Sequence, residues 1–127
     1  IEKSGYLKTT PKIQKTKKEF VSIKGGNEWK KKRSDLQKMM WTHCSIVRTE
    51  SGLQKGLELV RKEEKNMQKA MKNKNEISLA LLEFRNAVQT SRLILESALM
   101  RKESRGLHYI LDYPKQEKNP KHHTIYL

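Results

Sequence analysis

The sequence predicts an all-α fold, an up-down-up three-helix bundle of spectrin-repeat-like form with extended N- and C-terminal arms. Two observations predict it. Three stretches carry apolar residues at alternating three- and four-residue spacing, the pattern of helices with one buried face. Short polar turns separate the stretches, so consecutive helices must run back along one another. Size agrees: 127 residues, 35% hydrophobic and 33% charged, supply the core of one small bundle but not of a large α/β enzyme. The expected division is a basic linker or arm over residues 1–33, the bundle over 34–106, and an extended tail over 107–127.

Residues 1–33 are polar, Lys-rich and aperiodic, and Pro11 and the Gly25-Gly26 pair oppose a helix there. Phe20-Val21-Ser22-Ile23 is a short strand-like run. Helix one is expected to start at Ser34 or Asp35, both suited to an N-cap. Its stripe is Leu36, Met39, Met40, Cys44 and Val47, which carries it to about Arg48. Thr49-Glu50-Ser51-Gly52 reads as a turn, with Ser51 as the next cap. Helix two carries Leu53, Leu57, Val60, Met67 and Met71, with Glu64 filling the gap in a bundle seam. Asn73-Lys74-Asn75 makes the second turn. Helix three is the most apolar, with Ile77, Ala80, Leu81, Phe84, Val88, Ser91, Ile94, Leu95, Ala98 and Leu99 on one broad stripe. It is expected to run to Arg105, with Gly106 as its C′ residue. Tyr113-Pro114 and Asn119-Pro120 then keep the chain extended. The last residues, His123-Thr124-Ile125-Tyr126-Leu127, alternate weakly, as a strand completing another domain's sheet would.

The balance of 28 Lys and Arg against 14 Asp and Glu gives a net charge of +14. Such an excess fits a nucleic-acid or anionic-surface partner, and equally a solvated Lys-rich face or one that docks on an acidic domain. The Lys30-Lys31-Lys32-Arg33 run beside Trp29 has the same two readings, a base-stacking site or a solvated helix start. Cys44 is the single cysteine, so no intrachain disulfide forms and a reducing compartment is expected. No apolar run reaches the roughly 18 residues of a membrane span, and the N-terminus lacks the apolar stretch of a signal peptide. A first residue of Ile1 rather than Met implies a cut from something longer. No strand–GxGxxG–helix unit occurs, so no dinucleotide site is expected within this chain.

The chemistry-bearing residues concentrate in Glu103-Ser104-Arg105-Gly106-Leu107-His108-Tyr109-Ile110-Leu111-Asp112-Tyr113-Pro114. His108 and Asp112 invite a hydrogen-bonded pair in which the carboxylate orients the ring, as in general-base sites. No nucleophile stands near them, so a stand-alone catalytic centre is disfavoured. The alternative is a polar knot that fixes the chain as it leaves helix three and docks on a domain outside it. Glu103 and Arg105, two apart on a helix, would face different ways and need separate partners. His122-His123 has no Cys or Asp cluster beside it, and adjacent residues of an extended chain point apart, so no metal site is expected.

Three blocks carry a resemblance. Leu36-Gln37-Lys38-Met39-Met40-Trp41 with Ile46-Val47-Arg48, then Leu82 through Gln89 (Leu-Glu-Phe-Arg-Asn-Ala-Val-Gln), then Arg101 through Tyr109 with Leu111-Asp112-Tyr113-Pro114, stand in this order. They resemble the C-terminal helical domain of the L-aspartate oxidases, within the succinate dehydrogenase and fumarate reductase flavoprotein family. The closing His123–Leu127 run looks like the last strand of the succinate dehydrogenase relatives. The Leu-His-Tyr and Asp-Tyr-Pro wording favours the oxidases, whereas Thr42-His43-Cys44-Ser45 and Ile110 depart from their usual Asp-Tyr-Val-Gly and Thr. The resemblance implies a parent enzyme that uses FAD to oxidise L-aspartate to iminoaspartate, with oxygen or fumarate as acceptor, in bacterial cytoplasmic NAD synthesis. It implies that FAD and the catalytic residues lie in a separate domain and that this chain carries neither. It also implies a three-helix bundle packed on the flavin domain. The docking contacts expected from polar residues at matched positions are Arg48, Glu83, Asn86, Glu103, Arg105, His108, Asp112 and Tyr113. The resemblance argues against nucleic acid, and an orphaned, partly apolar docking face makes self-association an expectation.

Overall fold

The computed structural model describes residues 26–72 and 77–118. The elements in order are α1 (Asn27–His43), β1 (Val47–Arg48), α2 (Glu50–Met71), α3 (Leu79–Met100) and β2 (Tyr109–Ile110). The three helices form the expected up-down-up bundle. The largest interface joins α2 and α3, and α1 packs on both. The arm before Gly26, the turn at 73–75, the His122-His123 pair and the closing run at 123–127 lie outside the described residues.

Helical spacing sets the core. In α2, Leu53, Gly56, Leu57, Val60 and Met67 are buried. In α3, Ala80, Leu81, Phe84, Val88, Ser91, Leu95 and Ala98 are buried. Phe84, Leu53, Leu81, Leu95, Ile110, Val60 and Val88 are the largest fully buried side chains. Burying a side chain of this size contributes about 1.5–3 kcal/mol relative to leaving it in water. Glu64, which breaks the apolar seam of α2, receives Arg92 of α3 at 3.1 Å, so the polar interruption is paired across the interface. Gly56 sits where α2 packs tightly on its neighbours. A Cβ there would stand 3.0 Å from His43 Cβ and 3.2 Å from Leu95 Cδ2.

The helix ends differ from those expected. The first helix begins at Asn27, not Ser34, and takes in part of the expected arm. Trp29 explains the extension. Its ring meets Phe84 at 5.6 Å between centroids, and Leu36 continues the same face two turns on. Lys32 and Arg33 lie between them and reach Glu63 of α2 at 3.2 Å and Glu83 of α3 at 2.7 Å. Half of the basic run read as a solvated start therefore straddles the bundle. At its other end α1 stops at His43, not near Arg48. The β-branched Ile46 and Val47 favour extended backbone, and β2 offers Val47 and Arg48 a partner. The cap of α2 is Thr49 rather than Ser51: the Thr49 hydroxyl accepts from Gly52 N at 3.0 Å.

Helix α3 starts behind Ser78, whose hydroxyl accepts from Leu81 N at 3.2 Å, and ends at Met100 rather than Arg105. Beyond it the chain doubles back to form β2, which pairs in parallel with β1 (Val47 opposite Tyr109, Arg48 opposite Ile110). This small parallel pair places Ile110, 1% exposed, in the core beneath the helices. Among the described residues, no helix is long and apolar enough to cross a membrane.

Candidate functional site

The segment after α3 is wired to the start of α2 and to β1 by side chains that lie far apart in sequence. Arg105 and His108 exchange backbone hydrogen bonds, Arg105 N to His108 O at 2.9 Å and His108 N to Arg105 O at 3.1 Å. Gly106 and Leu107 form the tip. Gly106 has φ of 58°, and no other described residue has a positive φ, which is the φ pattern of a type II′ hairpin turn. The conformational freedom of Gly106 thus serves this turn and not a helix C-cap.

Ser104 and Glu103 tie the turn down from inside, and both are buried. The Ser104 hydroxyl accepts from Ile110 N at 3.0 Å and donates toward Tyr113 O at 2.8 Å. Glu103 accepts from Arg105 Nε at 3.2 Å on both oxygens and from Glu117 N at 2.9 Å. The Arg105 guanidinium, then the Glu117 amide, hold the Glu103 carboxyl below the usual carboxylate range. Glu103 and Arg105 are therefore direct partners. The expectation of opposite faces assumed a helix, and the helix has already ended.

The expected His108–Asp112 pair does not form. Arg48 Nη1 donates to His108 Nδ1 at 2.9 Å, and Nε2 points to Arg101 O at 3.3 Å. An arginine cannot accept a proton, so Nδ1 is the unprotonated nitrogen and Nε2–H donates. Burial, with the nearby Arg48 and Arg101 charges, pushes the His108 pKa down. Asp112 instead accepts from Glu50 N at 2.7 Å, satisfying an open amide at the positive end of α2. Tyr113 donates from its hydroxyl to Glu50 Oε2 at 2.8 Å, and Lys102 pairs with the other oxygen of Glu50. Lys102 first, then Tyr113, lower the Glu50 pKa.

Six of the eight expected docking residues thus meet in one knot: Arg48, Glu103, Arg105, His108, Asp112 and Tyr113. The other two do not join it. Glu83 is held by Arg33 near the start of α3, and Asn86 lies on a groove between α1 and α3. Sequence reasoning missed this groove. Leu36 and Met40 of α1 and Ala87 and Ile94 of α3 line it, together with Ile46 and Leu107 from the segments beyond these helices. Trp41 lines it too and is 73% exposed. The signal available in the sequence was Trp41 itself, an aromatic within a matched block but off the Leu36–Met40 stripe. Cys44 also faces the groove, and burial raises its thiol pKa. Among the described residues no group of three or more His, Cys, Asp or Glu side chains is placed to hold a metal ion.

Comparisons with known proteins identify relatives of the chain. A family model described as the fumarate reductase flavoprotein C-terminus matches residues 33–127. The L-aspartate oxidase of Yersinia pestis is 44% identical over 86 residues, which are 68% of this chain and 16% of that protein. An uncharacterized FAD-dependent oxidoreductase of Methanocaldococcus jannaschii is 37% identical over 106 residues, 84% of this chain and 20% of that protein. The L-aspartate oxidase of Acinetobacter baylyi is 39% identical over 87 residues, 68% of this chain and 16% of that protein. The chain thus spans between 16% and 20% of the length of these relatives. The matched region takes in α1 from Arg33 onward, all of α2 and α3 and the whole knot, and the chain belongs to the fumarate reductase flavoprotein C-terminal family.

Proposed function

We propose that this chain is the C-terminal helical domain of an L-aspartate oxidase, and that its work is structural. In this reading the parent enzyme oxidises L-aspartate to iminoaspartate with FAD, in cytoplasmic NAD biosynthesis ahead of quinolinate synthase. The domain packs on the flavin-binding domain of the same polypeptide and is not itself catalytic. The observation that carries the reading is the knot. The 103–114 segment that resembles the oxidase signature is the segment whose side chains tie the chain leaving α3 to β1 and to the start of α2. A general-base pair would need the His108 ring bonded to the Asp112 carboxylate. Here His108 and Asp112 are committed to Arg48, Arg101 and Glu50.

In this reading the FAD is held by the flavin-binding domain. Among the described residues the only strands are two residues long and no Gly-rich turn leads from a strand into a helix, so the phosphate cradle of a dinucleotide site is missing from them. The knot instead fixes the face offered to the flavin domain. Arg105→Ala or His108→Ala in the full enzyme is expected to lower FAD retention and melting temperature. Mixing this chain with the matching flavin-domain fragment is expected to restore FAD retention and L-aspartate oxidation. Unchanged flavin content in both experiments would sink the buttress role. The net charge of +14 favours nucleic acid as the second reading. Against it, Lys32, Arg33, Arg61, Arg92, Lys102 and Arg105 are all in ion pairs within the bundle. Tight binding to DNA or RNA that falls steeply with salt would favour it.

A further inference from the structure

We infer that the groove between α1 and α3, and not the polar knot itself, is the seat of the flavin-binding part of the same polypeptide. The partner element would be apolar and flanked by a carboxylate. The inference rests on the reading above and names the surface and the chemistry of the contact.

The groove has a volume of about 690 Å³. Its apolar side chains are unusually open: Trp41 is 73% exposed, Ile46 63% and Leu107 84%. Single exposed apolar residues need no explanation, but a contiguous set around one concavity marks a contact surface. Two of the three are held out by the knot. Leu107 sits at the tip of the turn closed by Arg105 and His108. Ile46 precedes β1, which Arg48 O anchors by accepting from Leu111 N at 2.9 Å. The polar bonds therefore keep apolar side chains in place for a partner, which lowers the ordering cost of docking. Gln37, Asn86 and Thr90 interrupt the apolar wall and provide amide and hydroxyl groups for register. The outer face of α2 is mainly polar, with Leu59, 40% exposed, set among exposed Lys55, Glu58, Arg61, Lys62 and Lys65.

Charge specifies the flank. Arg48 and Ile94 also line a second cavity of about 390 Å³, shared with Arg101 and His108. Two guanidinium groups line it beside the His108 imidazole, whose pKa burial lowers. Glu103 lies 4.0 Å from Arg101 and already accepts from Arg105. A carboxylate from the partner would complete the pairing at this end of the groove. The occupant follows from length. The relatives named FAD-dependent oxidoreductase and L-aspartate oxidase extend at least four-fifths of their length beyond the matched region. A partner tethered in the same polypeptide meets the groove at high effective concentration.

The test compares the 127-residue chain with the full-length flavoprotein that carries it, by hydroxyl-radical footprinting of side chains. Trp41, Met40 and Leu107 are expected to react several-fold more slowly in the full-length protein, while half-buried Trp29 keeps its rate. A Trp41→Asp/Leu107→Asp double variant of the full-length protein is expected to restore fast oxidation of Met40 and to lose FAD on gel filtration. Trp41→Phe is expected to retain it. The exposure of both residues keeps the bundle folded, which circular dichroism of the same double variant in the 127-residue chain checks. Unchanged Trp41 and Leu107 rates in a protein that binds FAD would overturn the seat and leave the oxidase reading standing. A full-length protein that binds no FAD would overturn the oxidase reading itself. Protection of Trp41 in the 127-residue chain alone, rising with concentration alongside a dimer mass, would make a second copy the occupant and overturn the proposal.

Discussion

The knot and the groove lie side by side and solve opposite problems. In the knot, polar side chains are drawn inward and paired. Glu103 is 3% exposed and takes hydrogen bonds from Arg105 and Glu117 N, and the buried Ser104 hydroxyl bonds on both sides. In the groove, apolar side chains are turned outward and left open. A bundle selected only for its own stability would do neither, because a buried charge costs more than a buried methyl group and an exposed Trp stabilises nothing. The difference separates labour within one small domain. The knot makes the shape and the groove uses it. Changes in the knot are therefore expected to unfold the 127-residue chain, and changes in the groove to leave it intact.

The largest effect expected is at Ile110, the apolar foot of the knot. Ile110→Ala removes a side chain that is 1% exposed and is expected to cost about 2–5 kcal/mol, as large-to-small core substitutions do. Urea unfolding followed by circular dichroism measures it. A cost of a few tenths would mean that β2 rests on the surface and that the bundle does not need it. Ser104→Ala comes next. It leaves the buried Ile110 amide without the Ser104 hydroxyl at 3.0 Å, a loss expected to cost about 1–3 kcal/mol. Ser104→Cys, which keeps the shape but bonds weakly, is expected to fall close to the Ala variant. A cost near zero would mean that water replaces the hydroxyl and that the knot is open.

These expectations also mark what the sequence made legible. The buried faces of α2 and α3 were readable because burial repeats with the helical period, from Leu53 to Met67 and from Ala80 to Ala98. The clustering of polar residues in 103–114 was readable too. Its wiring was not. The bonds from Arg48 to His108, Glu50 N to Asp112 and Tyr113 to Glu50 span 60, 62 and 63 residues, and no periodicity relates such partners. The helix ends were misjudged for a related reason. Propensity allows α3 to run on to Gly106, but the bonds that Glu103, Ser104 and Arg105 make outside the helix end it at Met100. Trp29, a lone aromatic among lysines, shows no stripe until Phe84 is placed opposite it.

A smaller effect is expected from pH, and its sign is set by His108. Burial and the Arg48 and Arg101 charges depress its pKa, while the Arg101 carbonyl and Glu103 oppose the shift. The folded chain therefore holds its proton less tightly than the unfolded chain does. The resulting stability is present above the unfolded value of about 6.5 and is lost as pH falls through the lower folded value. Glu103 and Glu50, whose pKa values are also lowered, lose their contribution only at still lower pH, below the ordinary carboxylate range. Melting temperature is thus expected to fall in two stages on acidification. A His108→Gln variant is expected to lack the first. A single stage in the wild-type chain would mean that the imidazole faces water and that Arg48 does not hold it.

The smallest effect is expected in the groove, and it is the sharpest test of the comparison. Trp41 is the largest side chain in the groove wall and is 73% exposed. Trp41→Ala in the 127-residue chain is expected to change stability by no more than about 0.5 kcal/mol, as surface substitutions without buried partners do. Size makes the test severe, because a buried Trp reduced to Ala would cost about 3–5 kcal/mol. The same aromatic side chain thus gives a small or a large number according to whether it belongs to the bundle or to a contact beyond it. Urea midpoints of the Trp41→Ala and Trp29→Ala variants, measured together, separate the cases. Trp29 packs on Phe84, so its loss is expected to be the larger. If Trp41 costs as much as Trp29, the groove is part of the core, and its open side chains hold this bundle together rather than wait for a partner.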